Sequence, residues 1–424
     1  MPGTRVAVVG GSIAGCAAAL ALHRTGHHDI TVHERTTGEL SARGVGVAVH
    51  EGRYRELAAA GYLDPAMAHL RLHGRHWYVR APGDGPADPL GRRIRTEAFD
   101  FRTYNWGPLW RGLRARVPGT VRFRTGSAVT AAAETPDAAL LTTAGGAVEP
   151  YDLIVGADGY RSVVRAAVGP GGRPAYAGYL AWRGAYPEER LPDAARWDPA
   201  AAAYVVFPGG HVVLYRIPGE RGGPRVNWVL YTAPPADADL PFSAPAAGFA
   251  GLDLPGSAPS SVPPGRVGTV LREHLAALTA EHFPPFWRQV IDLTEPGELF
   301  VQPMYDAIAS PGATGRIALI GDAATVARPH TGAGAVKALQ DATLLESALR
   351  DGGALPDALR AYDSARESLG RTMVDLGRSL GAALVTGAPD WRTLDDAALA
   401  AWWRGADAAG AFGGQRTPEE PEAR

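Results

Sequence analysis

The sequence predicts an α/β protein: a doubly wound parallel sheet joined to a second, mixed or antiparallel sheet, with helices at the C-terminal end. Three observations predict it. "RVAVVGG" at 5–11 turns through glycines into "SIAGCAAALALHRTG" and then "DITVHER", a strand, helix and parallel strand of about 30 residues. Two later apolar runs, "YDLIVGADG" and "RIALIGDAA", also end in glycine and aspartate. Between them, residues 176–232 become rich in aromatic and β-branched residues broken by Gly and Pro, the composition of antiparallel strands in another sheet.

Size and charge narrow the class. A chain of 424 residues is longer than one core usually serves. With 46% hydrophobic residues, 20% charged residues and a net charge of −2 it has no pull on polyanions, so no nucleic-acid partner is expected. The single cysteine, Cys16, excludes an internal disulfide and a cysteine metal cluster, and its place on the first helix makes it a small apolar filler. No leader pattern and no run of about 20 apolar residues is seen, so no membrane partner and a cytoplasmic location are expected. Lys337 is the only lysine.

In chain order, the first strand is an apolar run suited to burial on both faces, and the helix after it ends at Gly26. "YAGYLAWRGAYP", "AYVVFPGGHVVLYRIPG" and "RVNWVLYTA" supply the antiparallel strands. Residues 233–265 read as an irregular surface connection, and "VLREHLAALTAEHF" as an amphipathic helix. "GELFVQPMYDAIAS" returns to strand, 334–350 and 355–385 are helical, and "GGQRTPEEPEAR" reads as a frayed tail.

The loop "VVGGSIAG" places Gly10 and Gly15 at the outer positions of a dinucleotide fingerprint, with Ser12 in the middle and Ile13 and Ala14 opening the helix. Glu34 follows 19 residues after Gly15, where a carboxylate accepts hydrogen bonds from a ribose. The helix start offers free N–H groups and partial positive charge to a pyrophosphate. A tight turn with no ligand is the plainer alternative. The late stretch "LIGDAATVARPHTGAGAVKALQDA" puts Asp322 at a strand's carboxyl edge, then Pro329, Thr331, Gly332, Ala333 and Gly334 before another helix. There the backbone can approach a ring closely. A ligand touched at both places must be long, and FAD fits; the second helix start would stabilise the negative charge of reduced flavin.

Gly10 to Gly15 with Glu34, then "GADGYRSVVR", then "LIGDAATVARPHTGAG" resemble the three ordered signatures of the class A, single-component FAD-dependent aromatic monooxygenases typified by para-hydroxybenzoate hydroxylase. The resemblance spans residues 5 to about 345. "YAGYLAWRG", "GHVVLYRIPG" and "RPHTGAGAVKALQDA" are most similar to the branch around 2,6-dihydroxypyridine 3-hydroxylase. It implies a Rossmann-like FAD-binding domain from 1–75, 101–175 and 300–385, a substrate-binding domain from 76–100 and 176–299, and a C-terminal helix and tail over 386–424. It also implies that Gly10, Ser12, Ile13, Ala14, Gly15, Glu34 and Arg35 hold the ADP half and that Arg43 contacts the flavin nucleotide. By the same resemblance Asp158 and Gly159 are expected near pyrophosphate and nicotinamide, Asp322 is expected to bind ribityl and phosphate groups, and Pro329 to Gly334 to border the flavin ring. Two departures stand out: "WGPLWRGL" replaces an arginine that many members carry before residue 113, and Val336 replaces a common Asn.

The chemistry so implied is hydroxylation of an electron-rich aromatic or N-heteroaromatic molecule. NADH or NADPH reduces the flavin, O2 adds at its C4a carbon, and the ring attacks the outer oxygen. His330, inside the flavin-facing loop, either polarises a substrate hydroxyl or caps the loop. His211 and Tyr215 share one face of a strand and either reach the same cavity or serve structure. His50 is a further candidate for that cavity, while Trp182, Arg183 and Trp228 read as sheet packing. A homodimer is open to such a chain. A flavin-dependent halogenase is a rival, though this chain has neither a Trp-x-Trp-x-Ile-Pro stretch nor a lysine before mid-chain. A flavoprotein-like binding protein without turnover is another.

Overall fold

The computed structural model describes residues 4–38, 40, 46–81, 88–169, 171–220, 222–235, 261–351 and 353–414. Among them, five short strands pair in parallel in the spatial order Ile317–Leu319, Leu153–Gly156, Arg5–Val9, Asp29–Glu34, Arg122–Thr125. Past Arg5 the central strands are apolar because both faces are covered. Val6 and Val8 pack on the side of helices Ile13–Arg24, Trp106–Arg116 and Gly334–Arg350. Ala7, Val9, Ile154 and Leu319 pack on the other side, against a small antiparallel sheet of Val129–Glu134, Ala139–Thr143 and Val148–Tyr151. The register aligns Val9 with Gly156 and Gly156 with Leu319, so the loops after those three strands leave the sheet side by side.

A nine-stranded sheet forms the roof, in the order Thr325–Val326, Phe300–Ile308, Ala175–Pro187, Pro224–Thr232, Gly210–Pro218, Ala201–Phe207, Leu70–Val79, Arg92–Asn105, Gly46–His50. Strict alternation gives it two apolar faces. Trp182, Trp228, Val212 and Leu230 face outward onto helices Thr269–His282 and Pro285–Asp292. Tyr179, Ala181, Tyr204, Tyr215, Val229 and Tyr231 face inward with Leu376, Leu380 and Leu384 from the end of helix Leu355–Gly381 and the turn after it. Leu70–Val79 and Arg92–Asn105 lie whole within this sheet, so the expected boundaries at 75/76 and 100/101 fall inside continuous strands. Gly46–His50 and Phe300–Ile308 also join it.

The expected frayed tail begins later than its polar composition suggested. Gly413 and Gly414 are buried, and the Arg53 Nε donates to the Gly414 carbonyl at 2.5 Å. Phe412 anchors the segment among Phe99, Phe101 and Trp403. Residues 415–424, and most of the 233–265 connection, lie outside the described residues. Among the described residues no helix is long and apolar enough to cross a membrane.

Candidate functional site

The first loop is shaped by what its glycines lack. Gly10 has φ 103°, in the left-handed region, and any Cβ there would overlap the Ala157 carbonyl; a Cβ on Gly15 would overlap the Gly10 carbonyl. Ser12, at the N-cap of the first helix, makes no side-chain cap bond, and the first turn holds no acid. By contrast, His50, Asn105 and Asp395 each cap their helices by accepting a backbone N–H. Glu34 is buried at its strand's end; it accepts the Gly11 N–H at 2.8 Å and the Thr36 N–H at 2.9 Å. Trp110, from the divergent "WGPLWRGL" segment, donates its indole N–H to the Gly11 carbonyl at 2.9 Å and stacks on Trp106. Cys16 beneath this loop is buried and its thiol is pushed up to about 12 by burial, consistent with a filler. Arg35 is exposed, and Arg43 lies outside the described residues.

The middle loop is fastened to the late one. Asp158 Oδ2 accepts the N–H groups of Val163 at 2.8 Å and Val164 at 3.3 Å, while its buried Oδ1 has no partner. Burial raises that carboxyl's pKa. Gly159, with φ 84°, is open above its Cα. Arg165, the last residue of "GADGYRSVVR", donates to the carbonyls of Asp322 at 2.7 Å and Ala323 at 2.8 Å. Sequence reasoning had not singled it out, although it lies inside a quoted signature; its role depends on a contact 157 residues away.

In the late loop, Gly321 has φ 64°, and a Cβ there would lie 2.9 Å from the Ala14 Cβ, so the first helix start and the late loop abut. Asp322 projects from the strand edge with its side chain half exposed, paired with Lys337 Nζ at 3.1 Å. Lys337 is buried and also donates to the Thr325 carbonyl. Pro329, His330 and Thr331 form one tight turn, closed by Gly332 at φ 66°. Thr331 braces it, accepting the Ala333 N–H at 3.4 Å. The helix that starts at Gly334 has no side-chain cap at Ala333 and no acid in its first turn. Val336 is fully buried, a packing position here.

His330 meets the inner face of the roof. Its Nε2 lies 2.7 Å from the Tyr179 hydroxyl, its ring is 4.2 Å from Tyr231 and 5.2 Å from His211, and its buried Nδ1 has no partner. His211 Nδ1 is likewise buried and unpartnered. Burial holds both imidazoles uncharged: it takes His211 down to about 3 and, with the positive charge of Arg328 and Arg183 added, His330 well below 6.5. Tyr215 is in register with Asn227, whose Oδ1 accepts the Gly46 N–H at 2.8 Å, and burial pushes the Tyr215 phenol up to about 12. The structure thus brings His330 and His211 together, with Tyr215 on the same sheet face. It does not bring in His50, whose Nδ1 accepts the Gly52 N–H at 3.1 Å, because a helix start claims the ring. Arg183 is not packed with Trp182 and Trp228; alternation puts it on the inner face, in register with Val229.

Comparison with known proteins finds FAD-binding relatives over most of the chain. Residues 288–377 match a family model described as an FAD binding domain, and residues 176–306 one described as FAD binding domain-like. The chain is 28% identical to the 2,6-dihydroxypyridine 3-monooxygenase of Paenarthrobacter nicotinovorans, covering 90% of this chain and 92% of that one. It is 32% identical to the 3-amino-4-hydroxybenzoate 2-monooxygenase of Streptomyces cremeus, covering 85% and 83%. The solved 2,6-dihydroxypyridine-3-hydroxylase from Arthrobacter nicotinovorans superposes with a TM-score of 0.76 at 25% identity, covering 91% of this chain and 94% of that one.

Proposed function

The chain belongs to the class A, single-component FAD-dependent aromatic monooxygenases, and from that premise we propose how its own residues divide the work. It is an FAD-dependent hydroxylase of aromatic or heteroaromatic molecules, with NADH or NADPH as reductant; the halogenase and non-catalytic alternatives are not favoured.

The residues present fit FAD. Neither helix start has a side-chain cap, the first abuts the late loop where a Cβ on Gly321 would meet Ala14 and Ala338, and glycines at 10 and 15 make room for the Ala157 and Gly10 carbonyls; together these leave backbone N–H groups converging on one place. That convergence is the observation that carries the reading. Gly10, Ser12, Ile13, Ala14 and Gly15 would cradle the pyrophosphate with backbone N–H groups, and Glu34 has acceptor capacity left for a ribose. Asp158 Oδ1, buried without a partner, is an acceptor awaiting a donor. Asp322 would take the ribityl hydroxyls, and Pro329 to Gly334 would border the ring. When bound, the flavin supplies oxygen activation and transfer; the rest falls to the protein.

His330 would hold the substrate's hydroxyl oxygen. With the Tyr179 phenolic hydrogen directed at His330 Nε2, 2.7 Å away, the imidazole proton would sit on Nδ1. That Nδ1–H has no acceptor in the protein. Directed at a phenolic oxygen, it favours the ionised form, which makes the ring electron-rich. Tyr231, Tyr204 and Tyr215 wall the inner face and exclude water. The two relatives act on hydroxylated single rings, 2,6-dihydroxypyridine and 3-amino-4-hydroxybenzoate, and a ring of that size is proposed here. O2 as co-substrate, a cytoplasmic setting and a homodimer complete the proposal. Purified protein should carry FAD and oxidise NAD(P)H faster with a hydroxylated ring present than without; a rate indifferent to every such ring would refute the hydroxylase reading.

A further inference from the structure

Tyr179 reaches His330 because its strand is interrupted there. Pairing between Ala175–Pro187 and Phe300–Ile308 holds at Tyr176 and resumes only at Leu180, with Gly178 between them at φ 84°. A bulge of this kind re-aims a side chain, and here it carries the phenol to within 2.7 Å of His330 Nε2. A second group arrives at the same point. Gly381 ends helix Leu355–Gly381, and a Cβ on it would lie 2.6 Å from the Tyr179 hydroxyl oxygen and 2.8 Å from Arg328 Nη1. The missing Cβ lets phenol and guanidinium close on one spot.

Arg328 is locked in that place. Asp306 is buried; one of its oxygens accepts the Arg328 Nε at 2.8 Å and pairs with Nη2 at 2.6 Å. The other oxygen accepts the Arg378 Nε at 3.1 Å and Nη2 at 2.7 Å. The Arg328 backbone is pinned as well: the Thr331 hydroxyl donates to its carbonyl at 3.2 Å, and a Cβ on Gly377 would lie 3.1 Å from its nitrogen. Nη1 is left beside the phenol as a fixed positive charge. Burial pushes the Tyr179 phenol up to about 12, and Arg328 pulls against that shift. In a buried setting a cation orients a nearby O–H strongly, drawing the oxygen and turning the hydrogen away. The hydrogen-bond partner left for that hydrogen is His330 Nε2.

Building on the hydroxylase reading, we infer that Arg328 is a positioning residue: held by Asp306, it turns the Tyr179 hydroxyl toward His330 Nε2 and so selects the imidazole tautomer whose proton, on Nδ1, is offered to the substrate oxygen. Which ring nitrogen carries the proton is set by the hydrogen bond the other one makes. In the opposite tautomer Nε2 would donate to the phenol and Nδ1 would be an acceptor, unable to favour an ionised substrate oxygen.

The test reads the tautomer directly, from proton–nitrogen correlation spectra of the full chain as purified, isotope-labelled at its histidine nitrogens and held at neutral pH. His330→Gln identifies the signals by their loss. Wild type should show the His330 proton on Nδ1. Arg328→Met should move it in whole or in part to Nε2, and Tyr179→Phe should do the same. Arg328→Lys, which keeps a positive charge, should restore the Nδ1 form in large part. The methionine variant leaves Asp306 paired with Arg378, so no buried carboxylate is stranded; Arg328→Gln stands in if it does not fold. A proton on Nε2 in wild type overturns the inference. So does an Arg328→Met protein with wild-type His330 signals, because an arginine that only braces the turn would leave the tautomer where it was. Neither flavin nor turnover enters the readout, so a protein that no hydroxylated ring stimulates would sink the hydroxylase reading and leave the tautomer result standing.

Discussion

The two helix starts at the centre of the molecule are alike in backbone and opposite in side chains. Both lack a capping side chain and a first-turn acid, so both leave N–H groups available. The early one works by absence: Gly10, Gly15 and Ala14 are small because backbone passes close on every side. Its one strong polar partner, Glu34, comes from the next strand and ties back to Gly11. The late one carries chemistry. Asp322 pairs with buried Lys337, and His330, within the turn that Gly332 closes, meets Tyr179. The first loop offers a shape, the second a shape with charge and a proton donor, so damage to each should read out differently.

The largest effect is expected at Gly15. An alanine Cβ would overlap the Gly10 carbonyl, a backbone atom that cannot rotate away. Overpacking a rigid site costs about 1–3 kcal/mol, and the displaced atoms line the proposed pyrophosphate cradle. Gly15→Ala should give colourless protein with a lowered melting temperature; yellow protein with normal FAD content would mean that the cradle lies elsewhere.

Asp322→Ala should be milder on folding and still severe on cofactor. It removes the proposed acceptor for the ribityl chain and leaves Lys337 without its carboxylate. Hydrogen bonds to charged groups contribute about 1.5–3 kcal/mol, which is roughly a tenfold to hundredfold loss of FAD affinity. Titration of apoprotein with FAD measures it. Unchanged affinity would separate the late loop from the cofactor and destroy the pairing of the two helix starts.

This contrast also explains what the sequence could reveal. Strand, loop and helix around Gly10 and Asp322 were legible because they depend on local rules: apolar runs buried on both faces, glycines where backbone crosses, and a carboxylate at a strand edge. The antiparallel strands from 176 to 232 were legible for the same reason. What escaped depends on pairing across the chain. Arg165 gains its role from carbonyls 157 residues away, and the buried end at Phe412 to Gly414 depends on Arg53, Phe99 and Phe101. Arg183 was misread beside Trp182 because adjacent residues on a strand point to opposite faces. Which face meets the late loop depends on His330 packing against Tyr231, a contact between residues far apart in the chain. His50 failed as a site candidate because a helix start took its ring, a competition invisible in composition.

The smallest effect is expected at His330, and it sharpens the contrast most. His330→Gln keeps the turn, which is held by Thr331 and Gly332, so FAD content should match wild type. Product formed per NAD(P)H consumed should fall several-fold, because the substrate oxygen loses its donor at Nδ1 while flavin reduction is untouched. Unchanged coupling would return His330 to a loop-capping role. The pH profile adds a second check. Burial holds His330 uncharged well below 6.5, and a base with a lowered pKa stays neutral as pH falls through its ordinary value. The ratio of wild-type to variant kcat should therefore be constant from pH 8 down to pH 6. A ratio that instead collapses around the ordinary imidazole pKa of about 6.5 would mean that His330 takes up a proton there, and that water reaches the ring which the inner face of the roof is built to keep dry.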